Sequence, residues 1–168
     1  HDQEEALVMS DRIAVMFEGE IAQLDDPETL YRRPKTRKVA DFIGVMNFLP
    51  ASVLSETGGK VAIDVSGFGK AEINADQVSN SHDGAAAVGF RPEVLTILYD
   101  GQTPADREAP GTIDEVVYYG DMTYYDVRLD GVAEPVRISM RNMFGRPVLE
   151  RGAKTRVAWS SGALVLLR

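Results

Sequence analysis

The sequence pattern changes near Asn47, and this change limits the folds that the chain can adopt. From there to the C-terminus, extended runs of about five to eight residues alternate with turns rich in Gly, Asn, Asp or Pro. Residues 61–65 and 123–129 alternate apolar and polar side chains with the period of two that a half-buried strand requires. The runs begin near residues 47, 60, 70, 86, 94, 112, 122, 134, 155 and 163. This spacing predicts an all-β barrel or sandwich over residues 47–168.

A linker is expected inside this β region. Residues 100–110 combine Gly, Pro and Thr with several charged side chains, which is typical of a connection between structural units. The linker would divide the region into two halves of about five strands each, and five is the strand number of an oligonucleotide/oligosaccharide-binding (OB) barrel. We therefore predict a mainly β fold with an OB-like barrel, in one body or in two OB-like halves.

The first 46 residues have a different character, because helix and strand patterns are mixed in them. Residues 2–10 predict a helix, and residues 13–24 predict a hairpin. Asp26 is an N-cap followed by proline at the first helical position, and Thr36 caps a further helix. We expect residues 1–46 to form a short α/β unit ahead of the β region.

Charge and composition exclude several classes of function. The chain has 18 Lys and Arg against 26 Asp and Glu, and its net charge of -8 has the wrong sign for binding phosphate backbones or anionic lipid. The absence of cysteine removes disulfides, thiolate metal sites and thiol nucleophiles. No run approaches the roughly 18 apolar residues of a membrane helix, and the N-terminus does not resemble a signal peptide. We expect a soluble protein that is not exported and binds no nucleic acid.

Catalytic and metal-binding residues are scarce. The histidines are His1 and His82, and a closed zinc site without cysteine would need carboxylates from distant strands, so we expect no metal site. The G-x-S-x-G nucleophile elbow is absent, and both Gly-Lys pairs lack the first glycine and the hydroxyl residue of a P-loop. The charged pair in residues 91–93 is expected to pin a corner between strands, with Pro92 where no ladder hydrogen bond is donated.

Two apolar stretches in the C-terminal half could belong to the core or to a contact surface. Four tyrosines in residues 118–125 flank a Gly-Asp turn, and no basic residue is interleaved to follow a nucleic-acid backbone. We expect half of these rings to face the core and half to pair across strands. Met143 and Phe144 lie in a turn between arginines, where core packing is the first interpretation and an exposed interface is the alternative.

Five stretches, taken in chain order, resemble one known family. Residues 1–16 read HDQEEALVMSDRIAVM, and residues 26–44 contain DPETLY and VADFIG. They are followed by NFLP at 47–50, FRPE at 90–93 and GTI at 111–113. The first two stretches resemble the histidine-loop end of ABC transporter ATPase subunits and the connection to their regulatory domain. The last three resemble the TOBE (transport-associated OB) domain of importers of the polyamine, sugar and iron group.

The resemblance implies a division of the chain and a role for its first residue. Residues 1–46 would be the C-terminal remnant of a nucleotide-binding domain, and residues 47–168 a TOBE regulatory domain. His1 matches the switch histidine, which in such ATPases touches the γ-phosphate and helps to position the attacking water. Because the chain begins there, the P-loop, the signature sequence and the catalytic carboxylate are missing. We expect no ATPase activity and no cofactor in this chain, while ATP and Mg²⁺ belong to the intact parent.

The function implied by the resemblance is regulatory and mechanical. Family members pair these domains across a two-fold axis, so we expect a homodimer through the β domain, with permease subunits bound by the ATPase domain. The complex would lie in the cytoplasm, on the inner face of the membrane, and couple ATP hydrolysis to solute uptake. Residues 118–120, 130–131 and 157–159 are more similar to subunits of the spermidine/putrescine type than to those of the sugar type.

The resemblance also leaves an alternative function open. Related TOBE modules bind oxyanions such as molybdate, so the domain could instead sense a small ligand or an oxyanion. Such a site needs converging N–H or hydroxyl donors, and Ser139, Arg141 and Asn142 would supply them.

Overall fold

A computed structural model describes residues 2–79 and 85–168 of the chain, and in those residues it is mainly β. The helices are α1 Gln3–Met9, α2 Pro27–Arg32 and α3 Arg37–Ile43. The strands are β1 Ile13–Phe17, β2 Glu20–Asp25, β3 Asn47–Thr57, β4 Lys60–Val65, β5 Gly69–Asn74, β6 Val78–Ser79, β7 Ala87–Phe90, β8 Thr96–Leu98, β9 Arg107–Tyr118, β10 Met122–Leu129, β11 Val136–Arg141, β12 Lys154–Trp159 and β13 Val165–Leu167. Short 3₁₀ turns lie at Ala75–Gln77, Pro92–Val94 and Ser161–Ala163.

Residues 2–46 form a small α/β layer with its own apolar cluster. β1 and β2 pair as the predicted antiparallel hairpin. The predicted N-caps are confirmed, because the side chain of Asp26 accepts a hydrogen bond from the backbone N of Thr29, and that of Thr36 accepts one from Val39. The helices pack on the hairpin through a buried cluster of Val15, Leu30, Val39 and Ile43.

The β region consists of two sheets that share one core. The first sheet has the order β5-β4-β3-β7-β13-β6 and the second the order β11-β10-β9-β12-β8. Neighbouring strands are antiparallel except for β13 and β6, which are parallel. The shared core contains side chains from both sheets, including Leu49, Ile63, Phe90, Ile97, Ile113, Tyr125, Val127, Ile138, Trp159 and Leu166.

The two sheets are built from one repeated unit, with their last strands exchanged. Strands β3, β4, β5 and β7 of the first unit correspond to β9, β10, β11 and β12 of the second. β8 follows the first unit but pairs with β12, and β13 follows the second unit but pairs with β7. The registers agree, since Val165 opposite Gly89 corresponds to Thr96 opposite Ala158. The units are therefore related by a pseudo-two-fold axis.

Local details recur at matching places in both units. The carbonyls of Pro50 and Pro110 accept hydrogen bonds from the backbone N of Ser66 and of Asp130, at 2.9 and 3.0 Å. Each first hairpin also has a β-bulge at the same position, directly after Val53 in one unit and after Ile113 in the other. Repetition of both a bulge and a turn bond at corresponding positions supports a true structural repeat.

The predicted halves are thus present, but they are interlocked. β9 begins at Arg107, so the linker predicted over residues 100–110 is wrong for its last residues, which already pair in the second sheet. The chain crosses between sheets at the 3₁₀ turns Pro92–Val94 and Ser161–Ala163. Pro92 opens the first of these turns, which confirms the predicted corner between strands. Neither half completes its own sheet.

Two glycines at corresponding positions differ in the space around them. Gly67 and Gly131 both have positive φ angles, 82° and 78°, and a residue with a Cβ adopts such angles only with strain. A Cβ on Gly67 would lie 2.7 Å from Cγ2 of Val132, whereas one on Gly131 would meet nothing within 4 Å. We expect Gly131→Ala to lower the free energy of unfolding by about 1 kcal/mol and Gly67→Ala by about 2–4 kcal/mol. Urea unfolding measures both, and equal losses would contradict the predicted crowding at Gly67.

Candidate interaction surface

In a chain without cysteine, the side chains that could bind a metal ion are those of His, Asp and Glu. His1, the predicted switch histidine, and His82 lie outside residues 2–79 and 85–168. Within these ranges, no group of three or more His, Asp or Glu side chains is placed to hold a metal ion. None of the helices there combines the length and the apolar character that spanning a bilayer takes.

An exposed aromatic surface covers the end of the β9–β10 hairpin and the turn beside it. Tyr118 and Tyr119 lie at the hairpin end, and Met143 and Phe144 lie in the turn that follows β11. All are exposed, Tyr119 by 67% and Met143 by 60%, and Phe144 projects fully into solvent. We term these four side chains the tip surface. Aromatic residues and Met are enriched in the buried centres of protein interfaces.

This arrangement corrects two predictions. Core packing of Met143 and Phe144 is wrong, because a turn lifts both side chains away from the sheets. Of the four tyrosines, Tyr125 alone is in the core, while Tyr124 is half-buried and meets the ring of Tyr119 edge-on at 5.4 Å between centroids. The interface alternative for Met143 and Phe144 agrees with their exposure.

Asn142 fastens the turn to the hairpin. Its Nδ2 donates to the carbonyl of Gly120 at 2.8 Å, and its Oδ1 accepts from the hydroxyl of Thr123 at 2.7 Å. Its backbone N donates to the carbonyl of Asp121 at 2.7 Å. Thr123 is fully buried, so water does not compete readily for this bond. The two parts of the tip surface are therefore held side by side before any partner arrives.

The far side of the turn is closed by Arg146. Its Nη2 donates to the carbonyl of Arg141 at 2.7 Å, and its backbone N donates to the carbonyl of Met143 at 3.1 Å. Gly145 supplies the positive φ of 79° that the turn requires. With both sides closed, the backbone beneath Met143 and Phe144 is well determined.

In the described part of the first unit, the corresponding hairpin end carries no aromatic side chains. The β3–β4 hairpin turns through Gly58 and Gly59, immediately after the last cross-strand pair. In the second unit the hairpin continues for one further pair, Tyr118 opposite Thr123, before it turns. The same fold therefore closes one hairpin with two glycines and the other with exposed tyrosines.

A cleft of about 610 Å³ lies beside the tip surface and includes Tyr119, Asp121, Tyr124 and Arg137 in its wall. Arg137 forms a two-pronged ion pair with Asp126, at 2.9 and 3.2 Å, and this hydrogen bonding raises the pKa of the Arg137 guanidinium. Aromatic faces next to fixed charges can pack against another protein surface and set its orientation.

The three side chains predicted to bind an oxyanion do not act together. Asn142 already uses its side chain on Gly120 and Thr123. Ser139 and Arg141 lie on one face of β11, the first half-buried and the second exposed. Only these two side chains therefore remain available as the predicted donors.

Arg91 forms a second site, at the junction between the α/β layer and the β region. It is only 3% exposed, and its Nε and Nη2 donate to the carbonyl of Tyr31 at 3.1 and 3.0 Å. Nη1 donates to the carbonyls of Ala40 and Val45 at 3.2 and 3.1 Å. The guanidinium stacks 4.2 Å from the ring centre of Tyr31, whose hydroxyl donates to Glu93 at 2.8 Å.

The junction shifts the pKa of both stacked groups. Burial lowers the pKa of the Arg91 guanidinium, because the charged form loses water. Burial, together with the hydrogen bond to Glu93, raises the pKa of Tyr31 to about 12. The sequence marked Arg91 as part of a corner but did not reveal its partners, which lie far away along the chain.

A family model and the most similar curated proteins that we compared both place the chain in one family. Residues 88–167 match the TOBE domain. The whole chain is 38% identical to the spermidine/putrescine import ATP-binding protein PotA 2 of Pseudomonas aeruginosa, and 37% identical to PotA of Mesorhizobium japonicum. The matches cover 47% and 44% of those proteins, so the chain spans about half the length of the curated relatives it matches.

A further relative and a solved structure extend the comparison. Over 99% of its length the chain is 32% identical to the uncharacterized ABC transporter ATP-binding protein YdcT of Escherichia coli, of which it covers 42%. The structure of the cytoplasmic molybdate-binding protein ModG, with molybdate bound, superposes with a TM-score of 0.51. That match covers 73% of this chain and 94% of ModG at 16% identity, and it supports the OB-like fold alone.

Proposed function

Because this chain belongs to the TOBE-containing, PotA-type ATP-binding proteins of ABC importers, we propose that it is the regulatory and dimerising part of such a subunit. Its role would be to couple ATP hydrolysis to the uptake of a polyamine. ATP and Mg²⁺ would be held by the half of the subunit that the match does not cover, and permease subunits would bind there as well. The complex would lie on the cytoplasmic face of the membrane, and this chain alone would not hydrolyse ATP.

The two apolar clusters support a division of the chain into two functional parts. Residues 1–46, with a cluster of their own, would be the end of the nucleotide-binding domain, and residues 47–168 the regulatory domain. His1 would serve as the switch histidine only in the intact subunit, where magnesium and a catalytic carboxylate complete the site.

The exposed tip surface is the observation that carries the dimer proposal. A two-fold interface uses the same patch on both copies, so the patch must complement itself. Met143 and Phe144 lie between Arg141 and Arg146, whereas the neighbouring hairpin carries Asp121. A two-fold axis through the tip surface would place the turn of one copy on the hairpin of the other, with apolar groups central and opposite charges at the rim.

Replacing Met143 and Phe144 together by Ser is expected to weaken self-association. Sedimentation velocity over a wide range of protein concentration should show the unaltered chain shifting from monomer to dimer. The double variant should raise the dimer Kd by about tenfold or more, because side chains at an interface centre dominate its affinity. At a protein concentration where both chains are monomeric, its unfolding midpoint in urea should not change, since both side chains are exposed in the monomer.

Leu54→Ser is the matched control for this experiment. Leu54 is also exposed, by 52%, but it lies at the bulge of the first unit's hairpin. We expect Leu54→Ser to leave the dimer unchanged. A chain that remains monomeric at every concentration, or an equal loss in the control, would contradict an interface at the tip surface.

A further inference from the structure

The junction between the α/β layer and the β region has a buried polar centre, beside which the buried side chain of Met46 lies next to Gly89. The two apolar clusters remain separate, one formed by residues of the first 46 and the other by residues from Leu49 onward. The buried side chain of Arg91 crosses between the two clusters. It extends from the corner between β7 and β8. All three carbonyls that it contacts belong to Tyr31, Ala40 and Val45, on the other side of the junction.

The chemistry of these carbonyls explains why the side chain is an arginine. Tyr31 lies in the last turn of α2 and Ala40 in the last four residues of α3, where carbonyl groups have few or no partners within the helix. Helix C-termini carry partial negative charge, which stabilises a buried cation. None of the ion pairs in the described part of the chain includes Arg91. The helix ends thus take the place of a carboxylate.

A guanidinium can serve several carbonyls at once, and an ammonium group cannot do so from the same position. Arginine presents five N–H donors in a rigid plane, whereas lysine concentrates its charge at one point. Here four hydrogen bonds reach three carbonyls while the plane stacks on the ring of Tyr31. Loss of Arg91 would remove this partner from the carbonyls of Tyr31 and Val45, and would leave that of Ala40 with only the backbone N of Gly44, at 3.3 Å.

We propose that Arg91 is a positioning residue that couples the two regions mechanically: it holds α2 and α3 against the crossing turn of the β region, so that a shift in one moves the other. The biological meaning of this coupling rests on the proposed function, because α2 and α3 would connect the nucleotide-binding domain to the regulatory domain. The joint itself rests on the geometry alone. Other bonds across the junction, such as Ser79 Oγ to the carbonyl of Lys35, are exposed and single.

Hydrogen exchange of the complete chain in its native state tests this joint. In Arg91→Gln, backbone amides of α2 and α3 should exchange about 30-fold faster or more, because the unsatisfied carbonyls favour local opening. Amides of β9 and β10 should change by less than about threefold. Arg91→Lys should recover only a minor part of the protection. Arg128→Gln, which removes an exposed pair with Asp114, is the control and should leave α2 and α3 unchanged.

The result that would overturn the proposal is equal acceleration in all elements, which would make Arg91 an ordinary stabilising residue of the core. Full protection in Arg91→Lys would also overturn it, because charge alone would then suffice. If Arg91→Gln does not fold, Tyr31→Phe removes only the hydroxyl bond to Glu93 and should accelerate exchange in α2 but not in β9. Self-association is measured separately, so a monomeric chain would remove the dimer proposal and leave the joint standing.

Discussion

Residues 88–168, produced as a separate chain, are expected not to fold, although they contain the whole match to the TOBE domain. The reason is the exchange of strands between the two units. β7 would lose its partner β3, and the first sheet would lose β4 and β5 as well. The missing part of the core comprises Leu49, Val61, Ile63, Val65, Phe68, Ala71 and Ile73. At about 1.5–3 kcal/mol for each large buried side chain, this loss is of the order of the whole stability of a domain.

Circular dichroism during heating and the spread of amide signals in an NMR spectrum measure this outcome. Residues 47–168 are the control, because they contain every buried member of the main cluster. This longer chain should unfold in one cooperative transition, even though Arg91 loses its carbonyl partners. A cooperative transition in residues 88–168 would show that the second unit closes its own core, contrary to the observed pairing.

Phe68→Ala is expected to have the largest effect of any single substitution considered. Phe68 stacks on Trp159 with ring centroids 4.4 Å apart and an interplanar angle of 8°, and its other neighbour, Phe90, lies at 5.4 Å. Phe90 and Trp159 occupy corresponding positions at the ends of β7 and β12, so Phe68 lies between the two units. Truncation should lower the free energy of unfolding by about 3–5 kcal/mol.

Trp159 is the only tryptophan in the chain, so its fluorescence reports on this contact directly. Urea unfolding followed at that signal should give the loss of stability, and the native emission should change because a stacked neighbour is gone. Phe144→Ala is the matched control, since it makes the same truncation at a fully exposed ring, and at concentrations where the chain is monomeric it should change stability by no more than about 0.5 kcal/mol. Similar losses at the two positions would refute the assignment of Phe68 to the core.

Much of the strand pattern could be predicted because it depends on local alternation and on turns. Each of the ten predicted runs corresponds to a strand, and every one of these strands but β9 begins within two residues of the expected position. β6 was missed, since it has only two residues and its parallel pairing with β13 depends on the tertiary fold. The start of β9 was placed too late because Pro110 and Gly111 look like turn residues, although they pair with β12.

The strand exchange is accompanied by a repeated sequence around the two crossing turns, which the alternation within a single strand does not reveal. Residues 88–98 read VGFRPEVLTIL, and residues 157–167 read VAWSSGALVLL. Both have an aromatic residue that ends a strand, then a short turn, and then a three-residue strand that is mostly apolar. The two stretches are similar at the level of sequence. Periodicity within each run, however, does not indicate which sheet the run joins.

The candidate site was predicted less well, and the reasons are physical. Met and Phe are usually buried, so composition favoured the core for Met143 and Phe144, and exposure depends on a turn held by Asn142. The role of Arg91 could not be predicted because the segments of Tyr31 and Ala40 reach it only through the tertiary fold. His1 stays a prediction, as does the division of the chain near residue 46.

The exchange of β8 and β13 has a consequence for how such a protein can evolve. A free-standing unit would have an unpaired edge at β7 and would need a second chain to cover it. Its stability would then depend on the protein concentration. Joining two copies in one polypeptide makes that encounter intramolecular. Once the two copies are fused, each is inherited with the partner that covers its edge, so the hairpin of one unit can lengthen and gain exposed aromatic residues while that of the other stays short.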